Sequence, residues 1–120
     1  TKMADIRERT QSICSILPGA ELTHPRGDGH DAWKICGKMF ASFGSKSPGV
    51  AVKTFDIETA SMLIEAGVAH RAKYFHRSWI NLPEGTDFAE LNHRLIISYD
   101  IVRRGLTKKM QATLAPREEI

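Results

Sequence analysis

Two cysteines, Cys14 and Cys36, are too few to make a disulfide framework in a chain of 120 residues. A hydrophobic core has to hold the fold instead, and a reducing, cytoplasmic setting is the expectation. Long apolar runs are missing as well. The longest, such as Leu95-Ile96-Ile97, fall far short of the ~20 residues of a membrane-spanning helix. The start turns charged by Asp5 and Arg7, too early for a secretory leader. Five prolines and nine glycines exclude a collagenous or low-complexity chain. Also absent are the nucleophile elbow G-x-S-x-G, the phosphate loop and the dinucleotide fingerprint G-x-G-x-x-G. The expectation is a protein that is not an enzyme and carries no cofactor.

What remains is the composition of an ordinary soluble domain, 42% hydrophobic and 26% charged. Its length suits a single domain over residues 1–120. The net charge of +3 and the isoelectric point near 9.0 are mild. Their distribution says more. No acid lies between Glu65 and Glu84, a window holding His70, Arg71, Lys73, His76 and Arg77. None lies between Asp100 and Glu118, where Arg103, Arg104, Lys108, Lys109 and Arg117 fall. The surface charge is expected to be polarised.

Met3, Ile6, Thr10, Ile13 and Leu17 recur at helical spacing, with Cys14 beside them, and Pro18-Gly19 stops that helix. Residues 21–31 read as a loop or a frayed strand. Residues 32–36 and 39–43 read as strands joined by Gly37-Lys38, a type II′ hairpin that sets Ile35 opposite Phe40. Which face of this hairpin is core stays open, because both faces carry apolar residues. Residues 50–54 alternate as a third strand. Asp56 is a natural N-cap for a helix with Ile57, Ala60, Leu63 and Ile64 on its apolar side, and Gly67 suits its end. Residues 69–75 and 78–82 read as short strands. Phe88, Leu91, Leu95, Tyr99 and Val102 form one face of a long helix, capped by Asp87 with Glu90 or by Thr86. Gly105 ends it, and residues 106–114 form a last short helix. The fold class is therefore α+β in two layers: an N-terminal helix, an antiparallel sheet of three to five strands with one inserted helix, and two C-terminal helices.

Three places invite chemistry. Cys14 and Cys36 lack the surroundings of a catalytic thiol and read as small hydrophobes. His24, Asp28, His30 and Asp31 offer nitrogen and oxygen ligands, but their spacing fits no zinc pattern; a solvated loop without metal is the expectation. The third is the run from His70 to Trp79. Arg71, Lys73 and Arg77 suit phosphates, and the interleaved Tyr74 and Trp79 suit stacking on bases. The bland alternative sets the aromatic rings in the core and the cations in solvent. Arg103 and Arg104 complement a helix C-terminus. Lys108 and Lys109 lie near the start of the next helix, where the dipole opposes them, and this favours an anionic partner.

Several of these residues together resemble the MmcQ/YjbR-like family. They are Leu17-Pro18-Gly19, Gly29-His30, then Trp33-Lys34-Ile35-Cys36-Gly37-Lys38-Met39-Phe40-Ala41. Val52-Lys53, Trp79 with Ile80 and Leu82, Tyr99-Asp100-Ile101-Val102 and Leu106-Thr107-Lys108-Lys109 follow in the family's order. Thr107 stands where the family usually has proline, and Asp31-Ala32 departs from the proline that often follows the histidine. The resemblance spans about residues 3–114. It implies a fold like that of the type III secretion chaperones and a DNA-binding label, with no catalytic residues.

The function expected is a non-enzymatic DNA-binding protein making weak, phosphate-directed contacts with little sequence preference. Its candidate contacts are Arg71, Lys73, Tyr74, Arg77, Trp79, Arg103, Arg104, Lys108 and Lys109. The alternative is a chaperone-like domain that binds a protein partner. Neither reading involves a membrane, and no residue pattern specifies an oligomeric state.

Overall fold

The structure, a computed structural model, describes residues 6–23, 31–43, 49–72 and 75–115. Helix α1 (Ile6–Cys14) buries Ile6, Thr10, Ile13 and Cys14 along one stripe, with Leu17 just beyond it. Burial pushes the Cys14 thiol well above its ordinary range, so it stays protonated and inert. The chain turns at Gly19, whose φ of +73° suits glycine and where a Cβ would strike Leu114.

Among the described residues six strands follow: β1 (Ala20–Thr23), β2 (Asp31–Ile35), β3 (Lys38–Phe43), β4 (Val50–Lys53), β5 (His70–Arg71) and β6 (Trp79–Leu82). They form one antiparallel sheet in the order β1-β2-β3-β4-β6-β5. The sheet thus has one strand more than the largest number expected. The stretch read as loop or frayed strand contributes β1, while the described residues of 69–75 contribute the two-residue β5.

The β2–β3 hairpin differs from the expected register. Its turn residues are Cys36 and Gly37, with φ of +49° and +79°. Positive φ at both positions is the signature of a type I′ turn, so Ile35 pairs with Lys38 rather than Phe40. A bulge follows: Trp33 pairs with Ala41 but Lys34 with Met39, leaving Phe40 as the extra residue. The bulge resolves which face is core. Phe40 and Ala41 are both wholly buried in the main cluster, while Met39 joins the other face.

Helix α2 (Ile57–Glu65) begins at Asp56, whose carboxylate accepts from the Thr59 amide at 2.7 Å. Helix α3 (Phe88–Arg104) crosses the sheet with Leu91, Leu95, Ser98 and Tyr99 buried. The Tyr99 ring meets Phe40 edge-on, with centroids 5.4 Å apart. Phe88 departs from the expected stripe: it is 52% exposed, overhanging the layer one turn before Leu91. Asp87 makes no side-chain cap, Thr86 donates its hydroxyl to the Pro83 carbonyl, and Glu90 pairs instead with Arg94. Helix α4 (Lys108–Ala112) is capped by Thr107, whose hydroxyl accepts from the Met110 amide.

All three longer helices share one cluster with Ile35, Phe40, Val50, Val52, Ile80 and Leu82, and so cover one face of the sheet. On the other face a small cluster holds Ala51, Ala72 and Trp79, with Met39 and Phe75 packed against it. Among the described residues no helix lies on that face. None of the described helices is long and apolar enough to cross a membrane.

Candidate nucleic-acid interface

The two acid-free windows end at opposite edges of the sheet. Arg71 lies on β5, one edge strand, and Arg77 on the loop that leads into β6; both are exposed. Arg103, Arg104, Lys108 and Lys109 lie at the end of α3 and on α4. That end is tied to the β1 edge. Tyr99 donates its hydroxyl to the Pro18 carbonyl, and Leu114 sits against Gly19 ahead of β1. Five strand spacings of ~4.8 Å separate the edges by about 24 Å. The structure therefore does not bring the two groups together.

Within the second group the cations are not equivalent. Arg103 is half-buried and committed: Nη1 donates to the Tyr99 hydroxyl at 3.0 Å and Nη2 to the Ala115 carbonyl at 2.7 Å. It fastens the backbone at Ala115 to α3. Arg104, Lys108 and Lys109 are exposed. These three, with Arg71 and Arg77, have no carboxylate partner among the described residues. Lys108 and Lys109 open the five-residue α4, a helix too short for its dipole to decide their placement.

Of the aromatic candidates, Trp79 is only 8% exposed and stacks on Phe75 with centroids 4.8 Å apart. Its indole packs against the sheet, so the bland reading describes it. Lys73, Tyr74 and Arg117 lie outside the described residues, as do residues 24–30 of the histidine-rich loop. Asp31, the last residue of that loop, opens β2.

The structure adds a feature that the sequence reading missed. Lys53, Phe55, Asp56, Ile57, Glu58, His76 and Ser78 line a solvent-open recess of about 550 Å³ between the end of β4 and the turn before β6. Its floor is fixed. The Ser78 carbonyl accepts from both the amide and the hydroxyl of Thr54, at 2.8 and 2.6 Å. The Ser78 amide donates to His76 Nδ1 at 3.1 Å, so the neutral ring carries its proton on Nε2. The Ser78 hydroxyl lies 2.9 Å from the same nitrogen, and Lys53 Nζ donates to that hydroxyl at 3.4 Å. The Asp56 carboxyl is held below the usual range by its hydrogen bond from Thr59, so it stays ionised. The one available signal was Phe55, an aromatic residue immediately before an N-cap. That position usually packs back onto the helix.

Together these features define a small α+β domain with one sheet face under helices and the exposed cations of its two acid-free windows at opposite edges. The chain belongs to the YjbR family, whose model matches residues 15–101. Among solved structures, the crystal structure of Deinococcus radiodurans protein DR2400, a DUF419 domain, is similar. It has a TM-score of 0.78 at 21% identity, covering 91% of this chain and 87% of that one. At that identity the likeness concerns the fold. No curated protein matches the chain.

Proposed function

We propose that this YjbR-family chain is a non-enzymatic DNA-binding domain that holds phosphates through exposed lysines and arginines, with little sequence preference. One observation carries the reading. Arg71, Arg77, Arg104, Lys108 and Lys109 are exposed and lack carboxylate partners among the described residues, in windows that hold no acid at all. Such cations gain most from an anionic polymer, because each phosphate they neutralise releases condensed counterions. Lysine and arginine on phosphates position a duplex without reading its bases. Because the two groups stand at opposite edges, each is read as a contact of its own. The richer group is Arg104, Lys108 and Lys109.

The test is fluorescence anisotropy with a short labelled duplex at low salt. Reversing Lys108 and Lys109 to Glu should weaken binding to all sequences alike, while Arg103→Lys should act through stability rather than affinity. Absence of binding at high micromolar protein would overturn the reading and leave the protein-interaction alternative.

A further inference from the structure

The recess beside Phe55 carries chemistry that the phosphate contacts do not use. Phe55 directly precedes the N-cap Asp56, where an apolar side chain ordinarily staples onto the fourth helical residue, here Ala60. Ala60 is fully buried, yet Phe55 is 61% exposed and Ile57 44%. The staple therefore leaves most of the phenyl ring in water. That exposed ring shares one recess with an ammonium group, an imidazole and two carboxylates.

The polar groups narrow what fits. The start of α2 offers no seat to an anion, because Asp56 already occupies the Thr59 amide and adds its own negative charge. Lys53 is half-buried and reaches the recess at the Ser78 hydroxyl. Glu58 is exposed and has no partner among the described residues. A bare phosphate would meet two carboxylates. An apolar peptide would leave Lys53 and Glu58 unmatched. A nucleobase uses all of these groups: its π face stacks on an aromatic ring, an exocyclic amino group donates to a carboxylate, and its flanking phosphate takes a cation. Arg77, exposed between the lining residues His76 and Ser78, is placed for a neighbouring phosphate.

We propose that this recess binds an unpaired, amino-bearing nucleobase of a single strand, stacked on Phe55, with its amino group on Glu58 and its phosphates on Lys53 and Arg77. The proposal rests on the nucleic-acid reading above and adds a preference for unpaired bases, and among them for cytosine over thymine.

Anisotropy titrations with a 12-nucleotide oligo-dC, a matched oligo-dT and a 12-base-pair duplex test it. Oligo-dC should bind roughly fivefold or more tighter than oligo-dT. Phe55→Leu keeps the apolar wall and removes the ring, and should weaken oligo-dC binding about tenfold or more while leaving the duplex unchanged. Phe55→Trp should keep or improve binding, which separates stacking from folding. Glu58→Gln should remove the cytosine preference. Equal affinity for both single strands, or an unaffected Phe55→Leu, would overturn the proposal even if the duplex still binds. Failure of all three nucleic acids would overturn the phosphate reading as well.

Discussion

The two faces of the sheet are built on different principles. One face carries Ile35, Phe40, Val52, Ile80 and Leu82 into a single cluster with α1, α2 and α3. The other gathers only Ala51, Ala72 and Trp79, with Met39 and Phe75 against them. Lys34, Lys53 and Asn81 share that second face, in register with Met39, Trp79 and Ala51. The first face supplies the stability. The second is polar enough to meet water and carries Lys53 toward the recess. The larger share of the buried apolar surface thus lies on the helix-covered side of the strands.

That division makes graded predictions. The largest effect is expected on the helix side. Leu95→Ala removes a wholly buried side chain and should cost ~2–5 kcal/mol in urea unfolding. Ser98→Ala comes next. The Ser98 hydroxyl donates to the Phe40 carbonyl at 2.6 Å and accepts from the Lys53 amide at 2.9 Å, so it satisfies the backbone at the bulge and on β4. Its removal leaves buried polar groups unpaired, at ~1–3 kcal/mol. On the opposite face Phe75→Ala should cost about 1–2 kcal/mol, below the ~3–5 kcal/mol of a fully buried phenylalanine. A loss equal to that of Leu95→Ala would show that the second cluster is as structural as the first.

Two smaller effects sharpen the account at the turn and the recess. Cys36 holds a φ of +49°, which an asparagine before Gly37 tolerates better. Cys36→Asn should therefore raise stability by about 0.5–1 kcal/mol, read as a higher urea midpoint. Asp56 supplies the pH test. Its folded-state pKa is lowered by the Thr59 hydrogen bonds, so its contribution is present above the unfolded value and is lost as pH falls through the folded one. Asp56→Asn caps without titrating. The urea midpoints of wild type and variant should differ less at pH 7 than at pH 3, with the wild type losing ground in acid.

Much of this architecture was legible because periodicity and caps are local. The stripes of α1 and α3, the Asp56 cap and the Gly67 ending follow from spacing and side-chain chemistry. The hairpin register was not, because glycine at either turn position satisfies a positive φ and only the pairing shows that Cys36 shares it. Phe88 continues the stripe in sequence, but a stripe does not say where the sheet beneath it stops. The charged windows were legible as windows. Their places at opposite edges were not, since strand order is a non-local property. Nor does sequence separate Arg103, spent on Tyr99 and Ala115, from Arg104 beside it. Phe55 was hidden for a related reason: the same position serves a buried staple or an exposed ring, and only burial tells them apart.

The salt dependence of duplex binding tests the central claim most directly. With Arg104, Lys108 and Lys109 each on one phosphate, log K against log salt should fall with a slope near −2.7, from about −0.9 per phosphate. If Arg71 and Arg77 engaged the same duplex, the slope would approach about −4.5, contradicting the assignment of duplex binding to the α3–α4 group alone. Binding that ignores salt, or no binding at low salt, would contradict phosphate recognition itself.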